Sequence, residues 1–216
     1  MGEISKKRPA CGESFPEEVV AERQKGVMIP TREECFRLMG HYGMLDHIIN
    51  HSIEVTKVAL FISTELNKKG QGLDLGLVEA ASLLHDLTKT ECFKTKEDHA
   101  ATGAQLLKKI GYERVGEVVA EHIQLSEGKD SLSISEEEVV NYADKRVQHD
   151  RIVSLEERFS DLKDRYGKGK WVLGQLERLE KVTLAVENKI FSILEIDPND
   201  LQSLQLERSS SDRSSP

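Results

Sequence analysis

Apolar residues recur every three to four positions along most of this chain, and glycine, proline and short polar runs break the repeat at helix-length intervals. Thr31 followed by Glu34 has the form of a capping box and opens a short helix that ends at Gly40 or Gly43. Asp46 caps a longer helix in which Ile48, Val55, Ala59, Ile62 and Leu66 share a face, with Gly70 and Gly72 as its stop. The third helix, near Leu75 to Leu87, is apolar almost all round, the pattern of a central core element. A loop over Thr90 to Lys96, a fourth helix over Glu97 to Ile110 and a fifth over Glu113 to Ile123 follow. Residues 126–135 read as a surface loop. Ser135 with Glu138 repeats the capping box and opens a long helix through Asp144 toward Tyr166. Gly167 and Gly169 break the chain before a last helix over 170–194.

The pattern predicts an all-α fold of about seven helices, with no convincing strand and no internal repeat. Residues 1–30, with Pro9, Pro16 and Pro30, read as an N-terminal arm, 31–196 as one helical domain, and 197–216 as a disordered tail rich in serine. In the last helix, Leu173, Leu176, Leu179, Val182, Val186, Ile190 and Leu194 form a stripe. It is most simply core-facing, and a homodimer seam is the alternative.

Composition narrows the class. The apolar share of 38% and charged share of 31% suit a globular protein, and 216 residues suffice for one well-packed domain. The net charge of −8 argues against broad nucleic-acid binding, although a local basic pocket is compatible with it. Cys11, Cys35 and Cys92 are odd in number and widely spaced, as expected of reduced thiols. No apolar run approaches a signal peptide or a membrane span, so the expectation is a soluble cytoplasmic protein with no membrane partner.

Chemistry concentrates at Leu83-Leu84-His85-Asp86-Leu87-Thr88-Lys89, where an adjacent imidazole and carboxylate close the most apolar helix. A buried carboxylate needs a compensating charge, and a divalent cation held by both side chains is one solution. Lys89 lies three residues beyond Asp86, on the same side, where a positive charge suits an anionic substrate. An ordinary helix C-terminus complemented by His85 and Lys89 is the competing reading. His51, His99, His122 and Asp144 weigh against it, because each sits in an apolar helical stripe of its own. Imidazoles mixed with carboxylates suit Fe, Mn, Zn, Ni or Co better than Ca. Lys145, Arg146 and Arg151 follow Asp144, and Lys145 and Arg146 are the candidate substrate contacts there. His47 and His149 read as surface residues.

The ordered set His51 … His85-Asp86 … Asp144 resembles the HD-domain superfamily of metal-dependent phosphohydrolases over residues 30–165. The resemblance implies that these four residues hold a first metal. His99 and His122 look like the added histidines of the six-ligand subgroup, in which Asp86 would bridge two metals. A cyclic-di-GMP-degrading branch is disfavoured, because Glu121 precedes His122 and no Gly-Tyr-Pro is present. The implied activity is attack on a phosphate ester of a nucleotide or similar small molecule by metal-activated water, with Asp86 and Lys89 as the catalytic residues. A di-iron oxygenase on the same fold and a non-catalytic nucleotide-binding module are the alternatives.

Overall fold

Ile48, Val55, Val58, Ala59, Ile62 and Leu66 line one face of α2 (Asp46–Lys68), and all of them are buried, which makes this helix the axis of the molecule. The computed structural model describes residues 28–126 and 133–205. Before α2 comes α1 (Arg32–His41), opened by the expected Thr31–Glu34 capping box. After it, Asp74 caps α3 (Leu75–Leu84) through the Leu77 amide. α3 packs directly on α2 and is buried along almost its whole surface. Each Leu, Val or Ile buried here contributes roughly 1.5–3 kcal/mol.

The chain then turns through His85–Thr88 into α4 (Lys89–Thr95), which ends on Lys96 in the left-handed conformation. Asp98 caps α5 (His99–Lys109) by accepting from the Ala100 and Ala101 amides at 2.8 and 3.2 Å. Tyr112 leads into α6 (Glu113–Ala120), which packs against α5. Ser135 and Glu138 form their capping box at the start of α7 (Glu136–Lys145), which returns along α2. A two-stranded antiparallel hairpin follows, β1 (Val147–Gln148) and β2 (Arg151–Ile152), with Val147 opposite Ile152. α8 (Leu155–Tyr166) and α9 (Lys170–Leu194) form an antiparallel pair, and the C-terminal half of α9 buries Val186, Ile190, Phe191 and Leu194 against α2 and α7.

The fold is all-α, with nine α-helices among the described residues. Several boundaries differ from expectation. The long helix drawn from Ser135 to Tyr166 is two helices with the hairpin between them, and Ser154 with Glu157 supplies a third capping box for α8. The third helix stops at Leu84, short of Leu87, and the fifth stops at Ala120, short of Ile123. The loop drawn over Thr90–Lys96 is helix α4. Residues 198–205, placed with the tail by composition, form a 3-10 helix (Pro198–Gln205) that buries Leu201. Its Gln205 accepts from the Ile152 amide and donates to the Asp150 carbonyl, which ties the segment to the hairpin. Of the expected N-terminal arm only 28–30 are described, with Pro30 buried; Cys11, most of the loop at 126–135 and residues 206–216 lie outside the described residues. No helix among the described residues is long and apolar enough to cross a membrane.

Candidate metal centre

Five separate stretches of chain deliver imidazoles and carboxylates to one buried point. His51 comes from the second turn of α2 and His85-Asp86 from the turn that ends α3. His99 is the first residue of α5, His122 follows α6, and Asp144 lies in the last turn of α7. His51, His85, Asp86, His122 and Asp144 are each no more than 8% exposed. Their ligand atoms fall in two groups, His51 with His85 and Asp144, and Asp86 with His99 and His122, each group within 4.8 Å.

Asp86 faces both groups. Its Oδ1 is 3.2 Å from His99 Nε2 and 3.7 Å from His122 Nε2, while its Oδ2 is 3.4 Å from His85 Nε2. Asp144 Oδ1 stands 3.0 Å from His51 Nε2 and 3.5 Å from His85 Nε2. The His122 and His99 Nε2 atoms are 3.3 Å apart.

The local structure fixes which nitrogen each imidazole offers. A ring nitrogen beside a carbonyl must donate, so Nδ1–H of His51 bonds the His149 carbonyl at 2.8 Å, that of His85 the Ser82 carbonyl at 2.8 Å, and that of His122 the Val119 carbonyl at 2.7 Å. Their Nε2 atoms are thereby turned inward. His85 Nε2 is buried with no hydrogen-bond partner, held between two carboxylates. A ring nitrogen left without a hydrogen bond in that position is costly, and a cation, whether a proton or a metal ion, is what satisfies it and both carboxylates together. The main-chain bonds to Nδ1 are the outer support that metal-binding histidines require. The residues present therefore fit a divalent transition ion.

Electrostatics agree. Burial by itself would lower the His85 pKa, but the charges of Asp86 and Asp144 prevail and raise it to about 10. Burial lowers His122 to about 3, aided by the charge on His85. Burial would raise both carboxyls, yet His85, His99 and Lys89 hold Asp86 well below the usual range, and Lys145, His51 and His85 do so for Asp144. The two buried carboxylates thus gather positive charge from His85, Lys89 and Lys145, and a divalent ion between them would take the place of the proton on His85.

The HD domain family model matches residues 48–166, more than half of the chain. The chain belongs to the HD-domain family. Relatives include a tRNA (cytidine(56)-2'-O)-methyltransferase from Thermoplasma volcanium, 36% identical over 48% of this chain and 29% of that protein. One of the same name from Picrophilus torridus is 32% identical over 64% of this chain and 41% of its own. A ribonuclease Y from Fusobacterium nucleatum is 23% identical over 76% of this chain and 33% of its own. The alignment spans less than half of each of these relatives. No solved structure matches.

Three cations were expected around this HD-domain site. Lys89 is there, its Nζ 2.7 Å from Asp86 Oδ2 and its side chain one-third exposed. Burial would lower its pKa, but Asp86 and Asp144 raise it, so it stays an ammonium. Lys145 is also there, but it is 4% exposed and its Nζ donates to Asp144 Oδ2 (2.8 Å) and the His122 carbonyl (2.7 Å). Its ammonium is thus held inside the centre, between α7 and the segment after α6. Arg146 departs from the expectation. Neighbouring helical side chains diverge by ~100°, and its fully buried guanidinium turns away to the Val153 carbonyl, the Tyr142 hydroxyl and Glu187.

His47 is exposed, as expected. His149 has an exposed ring, but its main-chain carbonyl is the acceptor that orients His51. Nothing in residue identity announces a carbonyl, so sequence reasoning had no signal for it.

Proposed function

We propose that this HD domain is a metal-dependent hydrolase of phosphate esters, holding one ion with His51, His85 and Asp144 and a second with His99 and His122, bridged by Asp86. The observation that carries the reading is the orphaned, buried Nε2 of His85 between the carboxylates of Asp86 and Asp144, with its Nδ1–H tied to the Ser82 carbonyl. Divalent transition ions, when bound, supply Lewis acidity toward phosphoryl oxygens and acidify water.

The protein's own groups complete the site. Main-chain acceptors at Nδ1 fix the orientation of three imidazole rings, so their Nε2 atoms already face the site. Burial of Asp86 and Asp144 keeps bulk water from screening their charge. Lys89, on the more open side beside Asp86, offers its ammonium to phosphoryl oxygens on which charge develops. The substrate class supported best is the phosphate ester of a nucleotide or a similar small molecule.

An RNA phosphodiester is a second reading of the same chemistry, favoured by the relatives named ribonuclease Y and tRNA methyltransferase. The net charge of −8 weighs against it as a broad nucleic-acid surface. The test is elemental analysis of the purified chain, then a hydrolysis screen over nucleotides and short RNA oligomers with Mn, Fe, Co, Ni and Zn. Metal-dependent hydrolysis that disappears in Asp86→Ala is the expected result. Metal-loaded protein that cleaves no phosphate ester overturns the reading.

A further inference from the structure

The turn between α8 and α9 gathers positive charge and bare aromatic surface in a chain that is acidic overall and poor in aromatics. Residues 163–171, Lys-Asp-Arg-Tyr-Gly-Lys-Gly-Lys-Trp, hold four cations and one carboxylate, whereas the whole chain has a net charge of −8. Trp171, the single tryptophan, is 74% exposed and Tyr166 is 58% exposed. They are the two most exposed large apolar side chains among the described residues. Such a ring loses roughly 150–250 Å² to a partner that covers it, so two left bare at one turn mark a contact surface.

The turn is held in shape. Lys163 Nζ bonds Glu180 Oε2 at 2.6 Å and pins the end of α8 to α9. The Lys168 amide donates to the Tyr166 carbonyl at 2.7 Å. Gly167 lies so close to α9 that a Cβ there would meet Leu173 Cδ2 at 2.7 Å. Arg165 is engaged as well, with Asp161 at 2.7 Å and His149 at 3.0 Å. Lys168 and Lys170 differ: both are exposed, and no carboxylate among the described residues forms an ion pair with either. Two uncommitted charges therefore sit between two uncovered rings.

Cations interleaved with aromatic rings suit a polymer whose anions alternate with flat rings. Along a single-stranded polynucleotide, phosphates meet ammonium groups while unpaired bases stack on aromatic faces. A duplex keeps its bases stacked on one another, out of reach of Tyr166 and Trp171. A lipid surface calls for aliphatic side chains beside the aromatics, and residues 165–171 contain none. The patch is local, which reconciles it with the acidic whole.

We infer that the α8–α9 turn is a docking site for a single strand of nucleic acid, with Trp171 and Tyr166 as stacking platforms and Lys168 and Lys170 as phosphate contacts. Binding there does not require the chain to hydrolyse phosphate esters, so the inference stands apart from that reading. The site is joined to the metal centre, because Arg165 reaches His149, whose carbonyl accepts from His51.

The test titrates the full chain with a fluorescein-labelled oligouridylate of about 12 nucleotides. It reads the anisotropy of the label and the emission of Trp171, which no other tryptophan obscures. The strand is expected to bind and to quench Trp171. Trp171→Ala should weaken binding about tenfold and Trp171→Phe by less. Replacing Lys168 and Lys170 together with alanine should make the slope of log affinity against log salt shallower by about 1.4, from about 0.7 for each cation on a single strand. The substituted side chains are exposed, so the thermal midpoint is expected to hold. A strand left unbound, Trp171 emission unchanged at saturation, or variants that bind as tightly as the native chain each overturn the inference. Phosphatidylserine vesicles that shift Trp171 emission while the strand leaves it alone also overturn it, and assign the turn to a membrane surface. All of these outcomes leave the hydrolase reading intact.

Discussion

His51 Nε2 and Asp144 Oδ1 lie 3.0 Å apart across 93 positions of sequence, one from the start of α2 and the other from the end of α7. The antiparallel packing of those two helices is what brings them together. Asp144→Asn keeps the shape of the side chain and removes its charge. Metal affinity should fall by more than the roughly ten- to hundredfold that loss of an outer partner costs. Competition against a chromophoric chelator measures it, and an unchanged affinity would remove Asp144 from the ligand set.

Asp86 divides its oxygens between two groups of ligands, so variants should separate the ions. His99→Ala is expected to lower the bound metal from two equivalents to one, and Asp86→Ala to lower it to none. Elemental analysis after dialysis distinguishes these outcomes. Equal loss in both variants would argue for a single shared ion.

Tyr142, Arg146 and Glu187 join α7 to α9 on the side of α7 that turns away from the cluster. Tyr142→Phe takes away the hydroxyl that accepts from Arg146 Nη1 at 2.6 Å and donates to Glu187. A cost of about 1–3 kcal/mol in urea unfolding is expected, with metal content unchanged. A fall in metal content would show that this contact also positions Asp144.

Gly116 of α6 lies hard against α5. A Cβ there would sit 2.7 Å from the Ala104 carbonyl oxygen and 2.9 Å from Lys108 Cγ. Gly116→Ala must push apart the two helices that carry His99 and lead to His122, with an expected cost of about 1–3 kcal/mol. The same variant should weaken the second ion more than the first, as chelator competition can show.

Burial, with the nearby charges of Glu79 and Glu34, lifts the Cys35 thiol from its ordinary value of 9.0 to about 12. A raised thiol pKa favours the neutral form in the fold. Its contribution to stability is therefore complete below about pH 9 and is lost as pH climbs from there toward 12. Iodoacetamide at pH 8 should leave Cys35 unmodified in the folded chain and alkylate it in urea. Mass spectrometry of the tryptic peptides reads both states.

The helical framework was legible in the sequence because two capping boxes and the apolar spacing of α2 and α3 act locally, and local signals survive into the fold. His51, His85, Asp86, His99, His122 and Asp144 stood out because each interrupts an apolar stripe, and the structure brings all six together. The hairpin was not legible. Val147 to Val153 continues the apolar repeat of α7, and the turn depends on His149 adopting φ +59°, which few non-glycine residues do. Arg146 follows Asp144 and Lys145 in sequence but not in space, because its side chain leaves α7 on the opposite side. Its partner Tyr142, four residues earlier, was the available clue.

The hydrogen bonds from three histidine rings to main-chain carbonyls have a practical corollary. A coordination shell whose aim is set by the polypeptide backbone keeps its shape when the ion is withdrawn. Stripping the protein with EDTA should then silence it without melting it, and adding metal back should restore it within mixing time, with no refolding phase.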